Sequence, residues 1–365
     1  MLTTIKSRLI AGLVAAKVRS SAVSPRSQPL PINREVRGGR IAGVSVEIGN
    51  ASKFYEDNYD PIAFYELRRG GKKTFIGSRT KPRTCRFCSR SEPVVTFSDD
   101  AHAVSHMVGN RTLFLAEECD DCNANCSQLE NDFGNFTHPD RTWAQVPGKK
   151  GVPTLKSFAK SSRVDMSPSG LVITQKEGDE IVDFNPATSQ GSFTAKVLLH
   201  KYRPLAVYKA LLKMALSIMD AKDLEHLRPA LKWIATEGVK ENFVSDVTRF
   251  SCFRSFTSGP APYPFPTVLL LRRKHDKLKC PYLTFVLLFH NFTYQIFLPC
   301  HEKDKQLLGL RATLPMWPHP FMLKPRGHHR TKKAGPVSLA SPDYVERRQH
   351  TITMGFDSFT TNNPS

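Results

Sequence analysis

The 365-residue sequence has no apolar run of membrane-spanning length. Its longest apolar runs, at 9–16 and 282–289, contain eight residues each. A transmembrane helix needs about 18 or more such residues in succession, so the sequence predicts neither a membrane span nor a membrane partner.

Cysteine is sparse, and its eight copies do not form the dense framework of a disulfide-stabilised secreted domain. Four of them make two Cys-x-x-Cys pairs, Cys85 with Cys88 and Cys119 with Cys122. In a chain of this length that spacing is typical of metal binding or of thiol redox chemistry. The other cysteines lack a partner at such a spacing and are expected to be buried free thiols; they are Cys126, Cys252, Cys280 and Cys300.

Charge of one sign is missing from two parts of the chain. No acidic residue precedes Glu35, and Arg111 is the only Lys or Arg between 91 and 140, against ten Asp and Glu. The formal net charge is +12 over 1–90, −9 over 91–140 and +16 over 141–365. Basic flanks suit a polyanion such as nucleic acid, and the acidic segment suits a cation. Ordinary solvated surfaces are the alternative explanation.

The first 21 residues, MLTTIKSRLIAGLVAAKVRSS, contain apolar side chains at helical spacing. Leu2, Ile5, Leu9 and Leu13, together with the absence of acidic residues, resemble an organellar transit peptide. A weak secretory signal, a basic arm and sequence upstream of the true start codon are the alternatives. We therefore expect a cytoplasmic protein, nucleoid-associated if its source is bacterial, or an organellar protein if this segment is a transit peptide.

Composition divides the chain into five parts. We expect a mobile basic N-terminal extension (1–50), a basic lead-in segment (51–84), a cysteine-bearing domain (85–150), an α+β C-terminal domain (151–325) and a poorly ordered tail (326–365). The C-terminal domain contains a predicted hairpin over 170–184, a helix from Pro204, a second helix that Asp220 could cap and that Pro229 starts late or kinks, and strands from Thr267 onward.

The two cysteine pairs stand thirty residues apart and together predict a zinc site. Zinc in structural sites takes four tetrahedral ligands, and each Cys-x-x-Cys turn supplies two thiolates with a suitable bite. Cys85, Cys88, Cys119 and Cys122 would close the ligand shell, so the zinc would be structural. A redox role is the alternative, although a redox Cys-x-x-Cys normally stands alone on a strand-to-helix turn.

Further residues occur in a distinctive order within the cysteine framework. An Ala-His pair ends at His102, a Gly-Asn pair ends at Asn110, and Asn123 directly follows Cys122. This order resembles the HNH endonucleases, in particular the branch in which a four-cysteine zinc braces the ββα-metal nuclease unit. The resemblance covers residues 85–136. It implies an α+β fold class in which a zinc-braced ββα-metal unit precedes a mixed helical and antiparallel-strand C-terminal part.

The resemblance also implies a role for each matching residue. His102 would be the general base that activates water, Asn110 would position the loop carrying this histidine, and Asn123 would help to hold a catalytic Mg²⁺ or Mn²⁺. Many relatives have an acidic metal ligand directly before the histidine, where this chain has Ala101; Asp99, on the same face of the expected strand, is the substitute. The implied activity is metal-dependent hydrolysis of nucleic-acid phosphodiester bonds, with double-stranded DNA favoured as partner.

The sequence departs from the family pattern elsewhere too. Ser105 and His106 stand where relatives often have a Pro and an acidic residue, and Cys126 and Ser127 stand in place of Phe and Gly. Glu130 falls where relatives carry an acidic residue on the helix. These departures leave a second hypothesis open, a zinc-containing nucleic-acid-binding protein whose degenerate HNH site does not cleave. The oligomeric state is not specified by the sequence.

Overall fold

The computed structural model describes residues 2–6, 44–45, 51–148, 151–167, 170–183, 192–239, 250–257, 262–308, 312–318, 331–355 and 360–362. Within these ranges the fold is mixed α+β, with six α-helices and mainly antiparallel sheets. No helix of these ranges has both the length and the apolar character that a membrane crossing requires. The helices are α1 (Ala51–Asn58), α2 (Asp120–Phe136), α3 (His138–Trp143), α4 (Pro204–Ser217), α5 (Arg228–Ala235) and α6 (His301–Asp304).

The β-strands of the described ranges form five sheets. The strands are β1 (Leu2–Lys6), β2 (Val44–Ser45), β3 (Tyr59–Glu66), β4 (Thr74–Ile76), β5 (Leu113–Leu115), β6 (Leu155–Lys156), β7 (Arg163–Ser167), β8 (Gly170–Lys176), β9 (Val182–Asp183), β10 (Ser192–Leu199), β11 (Ser251–Thr257), β12 (Tyr263–Arg273), β13 (Leu283–His290), β14 (Phe292–Phe297), β15 (Ala312–Thr313), β16 (Thr331–Ser338), β17 (Arg348–Gly355) and β18 (Thr360–Asn362).

The largest sheet has six antiparallel strands in the order β16-β11-β14-β13-β12-β3. Strands β12, β13 and β14 correspond to the strands that the sequence predicts from Thr267 onward. Nearly all of their residues are buried, because both faces of the sheet are covered. Phe285 and Leu287 belong to the main core with α4, whereas Val286 and Leu288 belong to a second cluster with Tyr55 of α1.

Segments on both sides of the cysteine-bearing and C-terminal domains contribute strands to these sheets. From the lead-in segment, β3 pairs with β12 and β4 pairs in parallel with β5. From the predicted tail, β16 pairs with β11 and β17 pairs with β10. Of the predicted N-terminal extension, β1 and β2 are described; the remainder of 1–50, and 326–330, 356–359 and 363–365 of the tail, lie outside the described residues.

The hairpin predicted over 170–184 is present only at its turn. Lys176 and Asp179 form an isolated bridge there. Beyond the turn the two strands separate: β8 pairs with β1 and β7, whereas β9 pairs with β10. The Asp179 carboxylate accepts hydrogen bonds from the Ser157 hydroxyl and the Ser162 N–H, which attaches the turn to the loop between β6 and β7.

Helix α4 begins at Pro204, as the sequence predicts, and is buried on every side. Pro is tolerated in the first turn because the N–H it lacks would have no intrahelical partner there. All 14 residues of α4 are buried, since α2, α5 and β14 pack around it. Two of these residues are lysines. The ammonium group of Lys209 donates to the carbonyl oxygens of Thr236 and Gly238, which lie just beyond α5.

Both ends of α4 are capped by the cysteine-bearing domain. At the N-terminal end, the Arg203 N–H donates to Asp132 Oδ1 at 2.7 Å, and the Arg203 guanidinium donates to Oδ2 of the same carboxylate. The carbonyls at a helix C-terminus lack intrahelical partners and carry partial negative charge. Arg86, from within the first Cys-x-x-Cys pair, satisfies those of α4: its Nη1 donates to the carbonyl oxygens of Leu216, Ser217 and Met219.

A fully buried ion pair joins the middle of α4 to the second cysteine pair. Lys213 Nζ lies 2.8 Å from Glu118 Oε2, with both side chains almost completely excluded from solvent. Burial raises the pKa of Glu118, and Lys213 opposes this. Burial by itself lowers the pKa of Lys213, but Glu118, Cys126 and Glu130 together outweigh it and the net pKa is raised. The same ammonium group donates to the carbonyl oxygen of His102 at 2.6 Å.

We expect Lys213→Met to lower the free energy of unfolding by about 3–5 kcal/mol, because it leaves Glu118 buried without a cation. Burial then raises the pKa of Glu118 with nothing to oppose it. A carboxyl whose pKa is higher in the folded state stabilises the fold when protonated, so the loss should shrink as the pH falls toward the ordinary Glu value of 4.5. Urea unfolding at about pH 7 and about pH 5 measures both effects.

Lys209→Met is the matched control, because it removes the other buried lysine of α4. Burial lowers the pKa of Lys209 to about 8, so this group stays cationic below neutral pH, and its partners are carbonyl oxygens. Its loss should therefore cost the same at both pH values. Equal pH dependence in the two variants would show that Glu118 is not the group left uncompensated.

Candidate metal centre and hairpin-helix site

The structure brings the two predicted cysteine pairs together. The sulfur atoms of Cys85, Cys88, Cys119 and Cys122 all lie within 4.8 Å of one another, and Cys88 Sγ is 3.7 Å from Cys119 Sγ. Tetrahedral zinc with Zn–S bonds of about 2.3 Å places its sulfur ligands about 3.8 Å apart. The four thiols therefore fit a single tetrahedral ion, and the cluster could hold a structural metal such as zinc.

Local hydrogen bonds shape each cysteine pair. In the first, the Ser89 N–H donates to the Cys85 carbonyl, and the Cys85 N–H donates to the Arg90 carbonyl, so the chain turns tightly around the two thiols. Ser89 has a φ of 60°, the left-handed conformation that such a turn requires. In the second pair, Cys119 is the N-cap residue of α2 and Cys122 lies in its first turn. A turn and a helix start thus face each other across the cluster.

Hydrogen bonds to sulfur favour ionisation of Cys85 in this cluster. The Cys119 N–H donates to Cys85 Sγ, and Arg90 Nε donates to Cys88 Sγ at 3.4 Å. The pKa of Cys85 is lowered to about 5, first by a hydrogen bond from Cys122 and then by nearby backbone N–H groups. Conversely, the pKa of Cys122 is raised by its bond to Cys85 and by burial. Four thiolates can ionise side by side only if a cation offsets their repulsion, and a bound divalent metal does so.

The remaining cysteines match the sequence-based expectation of buried free thiols. No disulfide links the described cysteines, and these four are all buried: Cys126, Cys252, Cys280 and Cys300.

Between the cysteine pairs the chain forms a short antiparallel hairpin followed by α2. The Ala103 N–H donates to the Leu113 carbonyl and the Leu115 N–H donates to the Ala101 carbonyl, so residues 101–103 lie beside β5. His102 is the cross-strand neighbour of Phe114, and their ring centroids are 4.7 Å apart. The flanking alanines and leucines are buried. His102 is therefore on the opposite, outer face of the hairpin, where it is half-buried.

Asn110 fastens the loop that joins the two sides of this hairpin. Its amide nitrogen donates to the carbonyl oxygens of Val104 and Leu113 at 2.7 and 2.8 Å. Its amide oxygen accepts from the N–H groups of Thr112 and Leu113. The side chain is completely buried and uses both donors and both acceptor positions within the loop. It can therefore position the loop but is not available to a ligand.

The loop also contacts one face of α2. The Ser105 hydroxyl donates to Glu130 Oε2 at 2.7 Å, and the rings of His102 and His106 meet edge-on with centroids 5.4 Å apart. Asn123 and Glu130 are seven residues apart on α2, so they lie on the same side of the helix. Asn123 is half-buried in the first turn of α2. It therefore lies on the same face of the helix as Glu130, which contacts the loop.

Asp99 is positioned differently from the sequence-based expectation. Residues 97–100 do not form a strand, and Asp99 is exposed whereas Ala101 is buried, so the two do not share a strand face. The Asp99 N–H donates to Asp120 Oδ1. Its side chain borders a cavity of about 170 Å³, and neither His102 nor Asn123 is among the residues that line it.

Sequence reasoning missed two basic residues that organise this site. Lys213 reaches the His102 carbonyl from 111 positions along the chain, and only the presence of a lysine in an otherwise apolar helix hints at it. Arg111 donates to the carbonyl oxygens of His106, Asn110, Pro147 and Gly148, and so closes the loop against the end of the domain. Its position as the only Lys or Arg between 91 and 140 is the one signal of this role in the sequence.

For the metal centre, we expect about one tightly bound zinc per purified chain. Replacing Cys85 or Cys122 by Ser should abolish zinc retention and unfold the hairpin-helix region, because structural zinc contributes roughly 10–16 kcal/mol of apparent binding free energy to small domains. Elemental analysis with circular dichroism measures both effects. Cys126→Ser, a buried cysteine one turn further along α2, is the control and should retain zinc. Folded protein that contains no metal would contradict the assignment.

Comparison with known proteins gave no match among protein-family models, curated proteins or solved structures. Two features of the structure therefore support a function. These are the four-cysteine cluster, and the hairpin and helix α2 that lie beside it.

Proposed function

We propose that this chain is a metal-dependent endonuclease of the HNH type, which hydrolyses phosphodiester bonds in nucleic acid, with double-stranded DNA as the expected substrate. The observation that carries the proposal is the hairpin-helix itself. It has a histidine on the first side, a buried asparagine that fastens the connecting loop, and a helix that starts at the cysteine cluster with Asn123 in its first turn. The order and spacing of these residues resemble the HNH unit.

His102 is the proposed general base. A neutral imidazole near pH 7 can accept a proton from the water that attacks the phosphorus atom. Its backbone is held on two sides, by the pairing with Phe114 and by the hydrogen bond from Lys213. The ring is flanked by those of Phe114 and His106, which limits the directions in which it can turn. These contacts support a fixed base on the outer face of the hairpin.

Asn123 and Glu130 provide oxygen atoms on the helix face beside the loop. Amide and carboxylate oxygens are the ligands that Mg²⁺ and Mn²⁺ prefer, so the donor set fits such an ion. When bound, the ion would offset the negative charge that develops on the phosphate. We assign Asn123 to this role, whereas Asp99, which does not share a face with Ala101, is left to the variant test below. Glu130 accepts the Ser105 hydrogen bond and so orients the loop.

The charge distribution supports a polyanionic substrate. The lead-in segment brings basic residues close to the hairpin through β4. Among the described residues, Arg69 and Lys72 have no carboxylate within ion-pair distance, whereas Arg68 pairs with Glu66 and Lys73 pairs with Asp100. Cations that lack an internal partner are free to neutralise phosphates.

A second candidate function is nucleic-acid binding without cleavage. The observation that favours it is the position before His102, where Ala101 is 1% exposed and offers no metal ligand. Asp99, the substitute expected from the sequence, borders a cavity that His102 does not line. A nicking assay on supercoiled plasmid with Mg²⁺, Mn²⁺ or EDTA separates the two functions, because only the endonuclease converts the plasmid to open circles.

We expect His102→Ala to reduce the nicking rate by about 10²–10⁴-fold, the usual contribution of a positioned base. Zinc content and melting temperature should stay near those of the wild type, because the four-cysteine cluster does not include His102. DNA affinity should also stay near that of the wild type, because a neutral imidazole adds little to polyanion binding. His275→Ala, at an exposed histidine between β12 and β13, is the control and should nick normally. Wild-type nicking by His102→Ala would show that His102 is not the base.

For Asn123→Ala we also expect slower nicking, but through weaker binding of the divalent ion. Raising the Mg²⁺ or Mn²⁺ concentration should therefore restore part of its rate and none of the rate of His102→Ala. Asp99→Ala should behave like Asn123→Ala if Asp99 supplies the missing carboxylate. A nicking rate for Asp99→Ala that is normal at every metal concentration would remove Asp99 from the site.

A further inference from the structure

The proposed base belongs to a row of rings that crosses the two-stranded sheet of β4 and β5 and ends at the bridge between Phe114 and His102. Phe75 of β4 is in register with Phe114 of β5, and Phe114 is in register with His102. The ring centroids of Phe75 and Phe114 are 5.5 Å apart and stacked, and those of Phe114 and His102 are 4.7 Å apart. Cross-strand neighbours project from the same side of a sheet. The outer face that carries His102 therefore continues across β5 onto β4.

Cations lie against these rings. Lys73 Nζ is 5.2 Å from the Phe114 centroid, and the guanidinium carbon of Arg79 is 4.3 Å from the Phe75 centroid. Cations over aromatic faces are held in place without losing their charge. Lys73 also pairs with Asp100, whereas Arg79 is exposed and has no carboxylate within ion-pair distance in the described chain. The outer face thus presents a fixed cation whose charge is not internally neutralised.

The cavity of about 170 Å³ beside this face extends the positive surface. Arg79, Lys81 and Arg83 line it together with Phe75 and Phe97, and the Arg83 guanidinium carbon lies 4.6 Å from the Phe97 ring centroid. Arg83 pairs with Glu92, so Arg79 and Lys81 supply the unpaired charge. Asp99 and Asp100 are the acidic residues of the lining, and Asp100 is already paired. Two unpaired cations therefore face one unpaired carboxylate.

We propose that this basic-aromatic face, formed by Lys73, Phe75, Arg79, Lys81 and Arg83, binds the phosphate backbone of the nucleic acid whose phosphodiester bond lies at His102. The inference rests on the proposed function and specifies where its substrate runs. A phosphate backbone is the partner that fits, because it repeats negative charge at short intervals along a strand and meets these cations on the way to His102. Phe75 is half-buried, so part of its side chain is open to contact with sugar or base.

The test compares two double variants that remove the same charge. Arg79→Gln/Lys81→Gln alters the basic-aromatic face, and Lys277→Gln/Lys279→Gln alters two exposed lysines between β12 and β13. Binding to a short fluorescent duplex is measured by anisotropy over a range of NaCl concentrations, without added Mg²⁺ or Mn²⁺. We expect the slope of log K against log salt to fall by about two in the first variant, since each lost phosphate contact releases about 0.9 fewer counterions. The second variant should keep the wild-type slope.

Two further measurements sharpen the result. The charge-retaining variant Arg79→Lys/Lys81→Arg should recover the wild-type slope, which separates loss of charge from local unfolding. Polyglutamate of similar length should compete with the duplex only weakly. Equal slopes in the two Gln variants, or equally strong competition by polyglutamate, would overturn the proposal.

The design keeps this inference separate from the proposed activity, because binding is measured without cleavage. If the wild-type protein nicks plasmid but Arg79→Gln/Lys81→Gln has the wild-type slope of log K against log salt, the nuclease function stands and the proposed phosphate-binding face is wrong. If the double variant changes the slope but the wild-type protein never nicks plasmid, the face binds nucleic acid and the nuclease function is wrong.

Discussion

The fully buried ion pair between Glu118 and Lys213 is the constraint on which the cysteine-bearing domain depends. Each ion loses several kcal/mol of hydration on burial, so neither is tolerated without the other. Glu118 directly precedes Cys119, and Lys213 also donates to the carbonyl of His102. One ammonium group therefore fixes the position of the second cysteine pair relative to the strand of the proposed base. The 2.8 Å contact is an ion pair rather than a well-directed hydrogen bond, which leaves charge as its main attraction.

Other polar contacts extend this attachment along the whole of α4. Asp132 caps its N-terminal end and Arg86 its C-terminal end, and both come from the cysteine-bearing domain. The main core contains all of Cys85, Cys119 and Cys122 together with α4 and β12–β14. Gly77 allows a further link: it has a φ of 81°, and a Cβ there would lie 2.4 Å from the Glu117 carboxyl carbon. Glu117 can thus join the end of β4, through the Ser78 N–H, to Arg86.

The local pattern of the sequence was sufficient to predict some parts of this structure and insufficient to predict others. The cysteine spacing predicted the four-thiol cluster, Pro204 and Pro229 predicted two helix starts, and the apolar runs after Thr267 predicted β12–β14. These signals arise from neighbouring residues. The pairing of β3 with β12, the separation of β8 from β9 and the reach of Lys213 to His102 depend on contacts between distant residues, which periodicity does not encode. The same limit applies to Asp99, whose placement follows from the irregular backbone at 97–100.

The distance along the chain between Lys213 and His102 has a consequence for biosynthesis. A ribosome releases both cysteine pairs well before Lys213 of α4, which follows His102 by 111 positions. The thiols can gather around a metal at that stage, yet Glu118 still lacks its counter-ion and Arg86 still lacks the carbonyls that it caps. During vectorial synthesis these contacts therefore cannot form until α4 has emerged. The hydrogen bond from Lys213 to the His102 carbonyl forms only on a chain that has been translated beyond α4, so truncated products would carry the cysteines without this contact.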